Sequence, residues 1–396
     1  MPYYPFRAFK TEKEDHEMKI AVITLPLHTN YGGLLQAYAL KSVLDEMGHE
    51  AEVIDIRDKM QLPKGPGALF LYAKRGLMKL FKGSAAPEVF REIRYKRELP
   101  VLSANTSVFV NNYIKPRVVG AYSEIREGEY DAFVVGSDQV WRPRYFGKIE
   151  DAFLGFAEGW AVKRVAYAAS FGTDQLEYEY MQLEACARLL GLFDGVSVRE
   201  DSAVGMCAEW LECDKAVHVL DPVMLLNTGI YRKLASSADV SGKTGGIMTY
   251  ILDPSSEKSH VIDFMKKVSG MKVHESSVYP YVNDRPVEER VVPSIEQWLA
   301  SFINADFIIT DSFHGCVLAI MLHKRFIATG NSRRGMARLN SLLSMFGLEM
   351  RLVHGIDPED DGEFFLSDID WEETDRILAE RRALSLDFLR VSLGVK

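Results

Sequence analysis

Short β-branched runs alternate with amphipathic helical stretches along nearly the whole chain, and this alternation leaves few folds open. "KIAVITL" (Lys19 to Leu25) has the continuous apolar character of a strand buried on both faces of a parallel sheet. After a loop, "GGLLQAYALKSVLDEMG" places Leu34, Leu35, Tyr38, Leu40, Val43, Leu44 and Met47 on one helical stripe, and Gly48 suits its end. "AEVIDI" (Ala51 to Ile56) is then a second strand. Strand, helix and strand with short connections make a right-handed crossover unit. "DAFVVGSD", "RVAYAASFG", "FDGVSVRED" and "AVHVLDPVMLL" complete a first α/β series. A second series begins at "GGIMTYILD" and runs through "MKVHES", "SIEQWLASFINA", "DFIITDS", "HGCVLAIMLH" and "RFIATG".

The expected fold is therefore α/β, with two Rossmann-like domains facing a cleft. Residues 18–225 form the first domain and 226–370 the second, and 396 residues in total suit two domains. "NTGIYRKLASSADVSGKTGG", rich in Gly, Ser, Thr and Lys, reads as the connection between them. Residues 371–396, with "WEETDRILAERRALSLDFLRVSL", predict a long terminal helix able to cross back to the first domain. Residues 1–17 read as an appended arm without the apolar run of a secretory signal. Ligands in such folds bind beyond the carboxyl ends of the strands, so the interdomain cleft is the expected site.

The net charge of −9 gives no support for nucleic acid as a partner. Cys186, Cys207, Cys213 and Cys316 show no CxxC pairing, which fits reduced thiols in a cytoplasmic protein. Neither HExxH nor clustered His/Asp/Glu spacing marks a metal site. Residues 59–98 break the alternation, with ten Lys or Arg against three Glu. There "GALFLYAKRGLMKLFKG" interleaves apolar and basic residues, which fits either of two placements. Its apolar face packs on the first domain, or residues 69–82 make peripheral contact with the inner membrane face.

Five polar clusters lie where strands end. They are Asn30, Tyr31, Gly32 and Gly33; "GSDQVW", with Asp138 and Gln139; Ser170-Phe171-Gly172; Arg199-Glu200-Asp201; and "TDSFHG", with Ser312 and His314. Arg199 ends a strand where packing alone would not place arginine, and it can grip a carboxylate or phosphate with both arms. His314 opens a helix, where its imidazole and free backbone N–H groups can share an anion. Asp138 and Asp311 can each act as a base or as a helix cap. The two glycines either allow close packing of the first helix and turn N–H groups toward the cleft, or only shape a turn. His28 and His323 lack comparable context and read as structural.

Taken in order, "NYGGLLQAYAL", "VVGSDQVW", "SVRED", "DPV" and "TDSFHGCVLAI" resemble the polysaccharide pyruvyl transferase family, over about Lys19 to Val353. The resemblance implies a GT-B-like fold and transfer of the enolpyruvyl unit of phosphoenolpyruvate to a saccharide, which forms a pyruvate ketal. It implies no cofactor beyond phosphoenolpyruvate as co-substrate, and an acceptor that is either free or lipid-linked. It assigns the donor's anions to Arg199 and His314, with Ser312 a further donor contact; His314 is also a candidate to protonate the methylene or the leaving phosphate, and we take Asp138 as the base on the acceptor hydroxyl. Asn30, Tyr31, Gly32, Gly33, Gln139 and Ser170 are expected around the acceptor. Many members carry arginine two residues before the histidine, where this chain has Ser312. Arg333, Arg334 and Arg338 are candidates to restore that charge and keep the crevice cationic. Two rivals remain at this point: a sugar-nucleotide glycosyltransferase and a catalytically silent saccharide- or anion-binding protein. Leu318 stands where such glycosyltransferases place a ribose-binding glutamate, and leucine cannot accept that hydrogen bond.

Overall fold

A computed structural model describes residues 17–56, 65–82, 88–238, 245–277, 279–280, 285–331, 335–355 and 362–395. Most of the N-terminal arm, together with Arg333 and Arg334, lies outside the described residues. Strands β1 (Lys19–Ile23), β2 (Glu50–Ile56), β3 (Arg117–Val119), β4 (Ala132–Asp138), β5 (Lys163–Ala169), β6 (Gly195–Val198) and β7 (Val217–His218) form the first sheet. Its order is β3-β2-β1-β4-β5-β6-β7, and every pairing is parallel. Strands β8 (Ile247–Tyr250), β9 (Val273–Glu275), β10 (Phe307–Thr310), β11 (Arg325–Thr329) and β12 (Leu352–Val353) form the second. Its order is β12-β11-β10-β8-β9, again all parallel. These are the two common doubly wound orders, and their direction reverses between β1 and β4 and between β8 and β10.

In the first half the helices are α1 (Tyr31–Glu46), α2 (Pro66–Lys82), α3 (Arg91–Leu102), α4 (Ala104–Phe109), α5 (Tyr180–Leu190) and α6 (Ser202–Leu211). The second half contributes α7 (Thr228–Ala235), α8 (Ser256–Ser269), α9 (Ile295–Ile303), α10 (Phe313–Met321), α11 (Ala337–Met345), α12 (Glu363–Leu366) and α13 (Trp371–Leu393). Strand side chains alternate between faces, so Ile20 and Val22 enter one core while Ala21 and Ile23 enter another. The first of these cores continues into the second domain through Met248, Trp298 and Ile308, which makes it common to both halves. Tyr31 sits on that seam, stacked on Trp298 with ring centroids 5.0 Å apart, and its hydroxyl donates to the Pro293 carbonyl at 2.9 Å.

The terminal helix crosses back as expected. Ser385 Oγ accepts from the Leu220 amide at 3.0 Å, and Arg382 Nε donates to the Met224 carbonyl at 2.8 Å. Two expectations need correction. The segment read as an interdomain connection contains α7, whose Tyr231, Leu234 and Ala235 are buried. Its Gly, Ser and Lys content hid a short apolar stripe that packs against α9. The basic segment does not lay its apolar face on the first domain. Leu69, Phe70, Leu77, Leu80 and Phe81 of α2 are exposed, and the buried side chains are Ala68 and Arg75. Arg75 turns inward because Glu92 of α3 receives its fork at 2.8 and 2.9 Å.

Candidate active site between the domains

The two strand-order reversals face one another, and the polar strand ends meet there. Asp138 is the last residue of β4, Arg199 and Glu200 follow β6, and Asp221 follows β7. From the second domain come Phe313 and His314 in the first turn of α10, and Arg338 in α11. Arg199 Nη1 lies 2.7 Å from Asp221 Oδ2, and its Nη2 lies 3.0 Å from Asp138 Oδ1. His314 Nε2 is 3.5 Å from the same Asp221 oxygen, and Arg338 Nη1 is 3.9 Å from Asp138 Oδ1. The Phe313 ring underlies both guanidinium groups, at 4.5 Å from Arg199 and 5.9 Å from Arg338. The Arg199 side chain is only 1% exposed.

Burial on its own would raise the Asp221 carboxyl, but His314 and Arg199 outweigh it and hold the group well below the usual carboxylate range. Burial likewise opposes ionisation of Asp138, and Arg199, His314 and Arg338 together lower it. Burial and the neighbouring Arg199 push Arg338 down to about 10, against the pull of Asp138 and Glu200. Glu200 shifts the other way, because burial outweighs Arg199 and Arg338. Its Oε1 accepts from Ser170 Oγ at 2.9 Å and from the amides of Phe171 and Gly172 at 2.9 and 3.2 Å.

The structure therefore gathers Arg199, His314, Arg338 and Asp138 at one place, but not as a bare cationic pocket. Both arms of Arg199 are taken by aspartates, so in this closed arrangement the positive groups are largely balanced. Ser312 caps α10, its Oγ accepting from the Gly315 amide at 3.3 Å, and it also lines the crevice. Ser170 is fully buried against Glu200 and does not reach the cleft. Tyr31 belongs to the domain seam. Gln139 lines the crevice, and its Oε1 accepts from Arg142 Nη1 at 3.1 Å. Asp311 is saturated: it accepts from the Leu252 and Asp253 amides, from Lys258 Nζ at 2.6 Å and from Asn331 Nδ2 at 2.9 Å. That leaves Asp138 as the carboxylate facing Asn30, at 3.5 Å from its Nδ2.

The glycines of the first loop acquire a specific reason. A Cβ on Gly32 would lie 2.0 Å from His314 Nδ1, so the first turn of α1 is the surface against which the imidazole rests. A Cβ on Gly33 would lie 3.0 Å from Asn30 Nδ2, a tighter fit than a side chain usually accepts. Asp221, Glu200 and Phe313 are participants that the sequence reading assigned no role. Asp221 stands in the quoted "DPV", and a carboxylate just after a strand was the available signal.

Two cavities meet at Asn30. One, of about 50 Å³, is lined by Asp138, Gln139, Ser312, Phe313, His314 and Arg338 among others. The other, of about 650 Å³, lies before the first sheet and includes His28, Asp55, Tyr95, Lys96, Leu99 and Tyr145. His28, expected to be structural, thus borders open space, with its Nε2 3.4 Å from the Tyr95 hydroxyl.

Among solved structures the chain is similar to a UDP-GlcNAc 2-epimerase from Neisseria meningitidis bound to UDP-GlcNAc. The identity is 14%, with 94% of this chain and 99% of that one covered, and the TM-score is 0.44. It is also similar to a glycosyltransferase from Rickettsia africae, at 12% identity, 96% coverage of both chains and a TM-score of 0.42. Neither likeness is close enough to bear on what this chain binds. A comparison with curated protein sequences finds no match. The family model described as polysaccharide pyruvyl transferase matches residues 30–333, which run from the loop before α1 to the segment after β11 and so take in both halves of the crevice. The chain belongs to the polysaccharide pyruvyl transferase family.

Proposed function

We propose that this crevice moves the enolpyruvyl group of phosphoenolpyruvate onto a sugar of a polysaccharide or its lipid-linked precursor. The observation that carries this reading is the gathering of Arg199, Arg338 and His314 around Asp138 and Asp221, beside a small crevice lined by Arg338, His314 and Asp138 that shares Asn30 with a much larger cavity. Phosphoenolpyruvate carries a carboxylate and a phosphate, and two guanidinium groups and an imidazole suit both. The cavity beside them has the room and the mixed apolar and polar lining that a saccharide needs.

The reaction balances with two acceptor hydroxyls. A proton goes to the methylene carbon, making it methyl and leaving C2 electron-poor. The first hydroxyl oxygen bonds to C2. The second hydroxyl then attacks C2 as the C–O bond to phosphate breaks, and its proton leaves with the phosphate. Asp138, beside Asn30 where the two cavities meet, takes the acceptor proton. His314 protonates the methylene or the leaving phosphate, and Arg199 and Arg338 hold the anions.

The crevice as it stands is small, at about 50 Å³, so in this reading a three-carbon phosphate ester enters with the domains parted. Its anions then replace Asp138 and Asp221 as partners of Arg199. Incubation with phosphoenolpyruvate and galactose- or mannose-containing acceptors, following phosphate release, tests the reading. Release that depends on the acceptor supports it. Donor binding without turnover on any acceptor assigns the protein to silent anion binding, and turnover of a sugar nucleotide assigns it to glycosyl transfer.

A further inference from the structure

α2 presents apolar side chains on the side turned away from the protein. Arg75 faces inward to Glu92 of α3, and Ala68 is buried with it. At 3.6 residues per turn, Leu69, Phe70, Ala73, Leu77, Leu80 and Phe81 fall within one arc of about 120° on the opposite side. The five large side chains in that arc are 75%, 72%, 56%, 82% and 85% exposed, a continuous apolar face rather than scattered residues. Lys74 borders the arc, whereas Lys79 falls about 140° from its centre, on the side of Arg75. The segment Pro66–Lys82 carries four Lys or Arg and no acid, in a chain whose net charge is −9.

We propose that α2 is an interfacial helix that seats the protein on an anionic bilayer. Phe70, Leu77, Leu80 and Phe81 enter the acyl boundary, while Lys74 at its edge meets the lipid phosphates. Charge selects this occupant. α2 carries no acid that could pair with the lysines of a second copy, whereas an anionic surface suits both the apolar arc and the basic residues of the helix. No described helix is long and apolar enough to cross a membrane, so the contact is peripheral. The buried Arg75–Glu92 fork fixes α2 to α3, and α3 also carries Tyr95, Lys96 and Leu99 of the large cavity. A lipid-linked saccharide would thus be met beside its cavity. That last step rests on the pyruvyl-transfer reading, while the surface itself does not.

The test is flotation of the full chain with phosphatidylcholine vesicles, with and without phosphatidylglycerol. The protein is expected to float with the anionic vesicles, about fivefold more weakly for Lys74→Ala. Phe70→Glu/Phe81→Glu should abolish flotation while leaving thermal unfolding unchanged, since both side chains are exposed. No flotation, or flotation indifferent to that double variant, overturns the proposal. So does a dimer in solution that the same variant dissociates, because it gives the face to a second copy. Phosphate release on a soluble acceptor, measured in the double variant, keeps the two readings apart. Vesicle binding without turnover in the wild-type protein would sink the reaction and leave the membrane surface standing.

Discussion

The two cavities that meet at Asn30 are built on opposite principles. The crevice is about 50 Å³, and the buried charges around it are largely balanced: Arg199 pairs with Asp138 and Asp221 within the first domain, while His314 and Arg338 approach the same aspartates from the second. The cavity is about 650 Å³ and is bordered by Leu25, Leu27, Tyr95, Leu99 and Tyr145, with Asp55, Lys96 and Arg144 also on its wall. On the proposed function, the contrast separates two tasks. A small, multiply charged ligand needs fixed opposing charges and exclusion of water, and the crevice stores those charges as ion pairs until the ligand replaces them. A saccharide needs area and shape, which a roomy, mostly apolar surface supplies.

Arg199→Ala should break the crevice most completely. It leaves Asp138 and Asp221 buried without their main partner, at a cost of about 3–5 kcal/mol in urea denaturation, and it abolishes donor-dependent turnover. Unchanged stability would mean that the aspartates are not held by this arginine. Gly32→Ala comes next, because the new methyl displaces the His314 imidazole. Turnover should fall about a hundredfold while stability drops by about 1–3 kcal/mol, the range for an overfilled site.

A paired measurement sharpens the division of labour. Arg338→Ala should raise the KM for phosphoenolpyruvate about tenfold and leave that of the acceptor alone, as expected for losing one charge-assisted contact. Tyr95→Ala should do the reverse, by about fivefold, for loss of one aromatic contact in the cavity. Equal effects of both variants on both substrates would erase the distinction. If Arg338→Ala leaves donor affinity unchanged, this arginine does not replace the one missing at Ser312.

The smallest effect concerns pH. The folded-state values of Asp138 and Asp221 are depressed, so their contribution is present above the ordinary carboxylate value. It is lost as pH falls below that value toward their own. Glu200 has the opposite sign: its raised value costs stability once pH rises past the ordinary carboxylate range. Glu200→Gln should therefore gain stability from pH 5 to pH 8 relative to the wild type, by about 1 kcal/mol or less, read from thermal unfolding. A constant difference across that range would contradict the assignment.

Much of the architecture was legible because strand and helix periods differ. Lys19 to Leu25 could be only a buried strand, and Leu34 to Met47 only a helix with a broad apolar face. Arg199 and His314 were legible because each occupies a strand end where packing gains nothing from its chemistry. Their shared carboxylate was not, because residues 199, 221 and 314 meet only after both domains have folded and faced each other. The cap role of Ser312 was not singled out, and the structure shows its oxygen turned to the Gly315 amide. For α2 the periodicity was legible but left its direction open. Reading apolar as inward fails when a buried Arg75–Glu92 pair fixes the helix the other way round.

The account stands on where a small doubly anionic donor binds. A crystal structure with phosphoenolpyruvate bound should show the domains parted, the guanidinium groups of Arg199 and Arg338 and the His314 imidazole on its carboxylate and phosphate, and Asp221 released from Arg199. Phosphoenolpyruvate seated in the large cavity instead, with the Arg199–Asp138 and Arg199–Asp221 pairs intact, would contradict it.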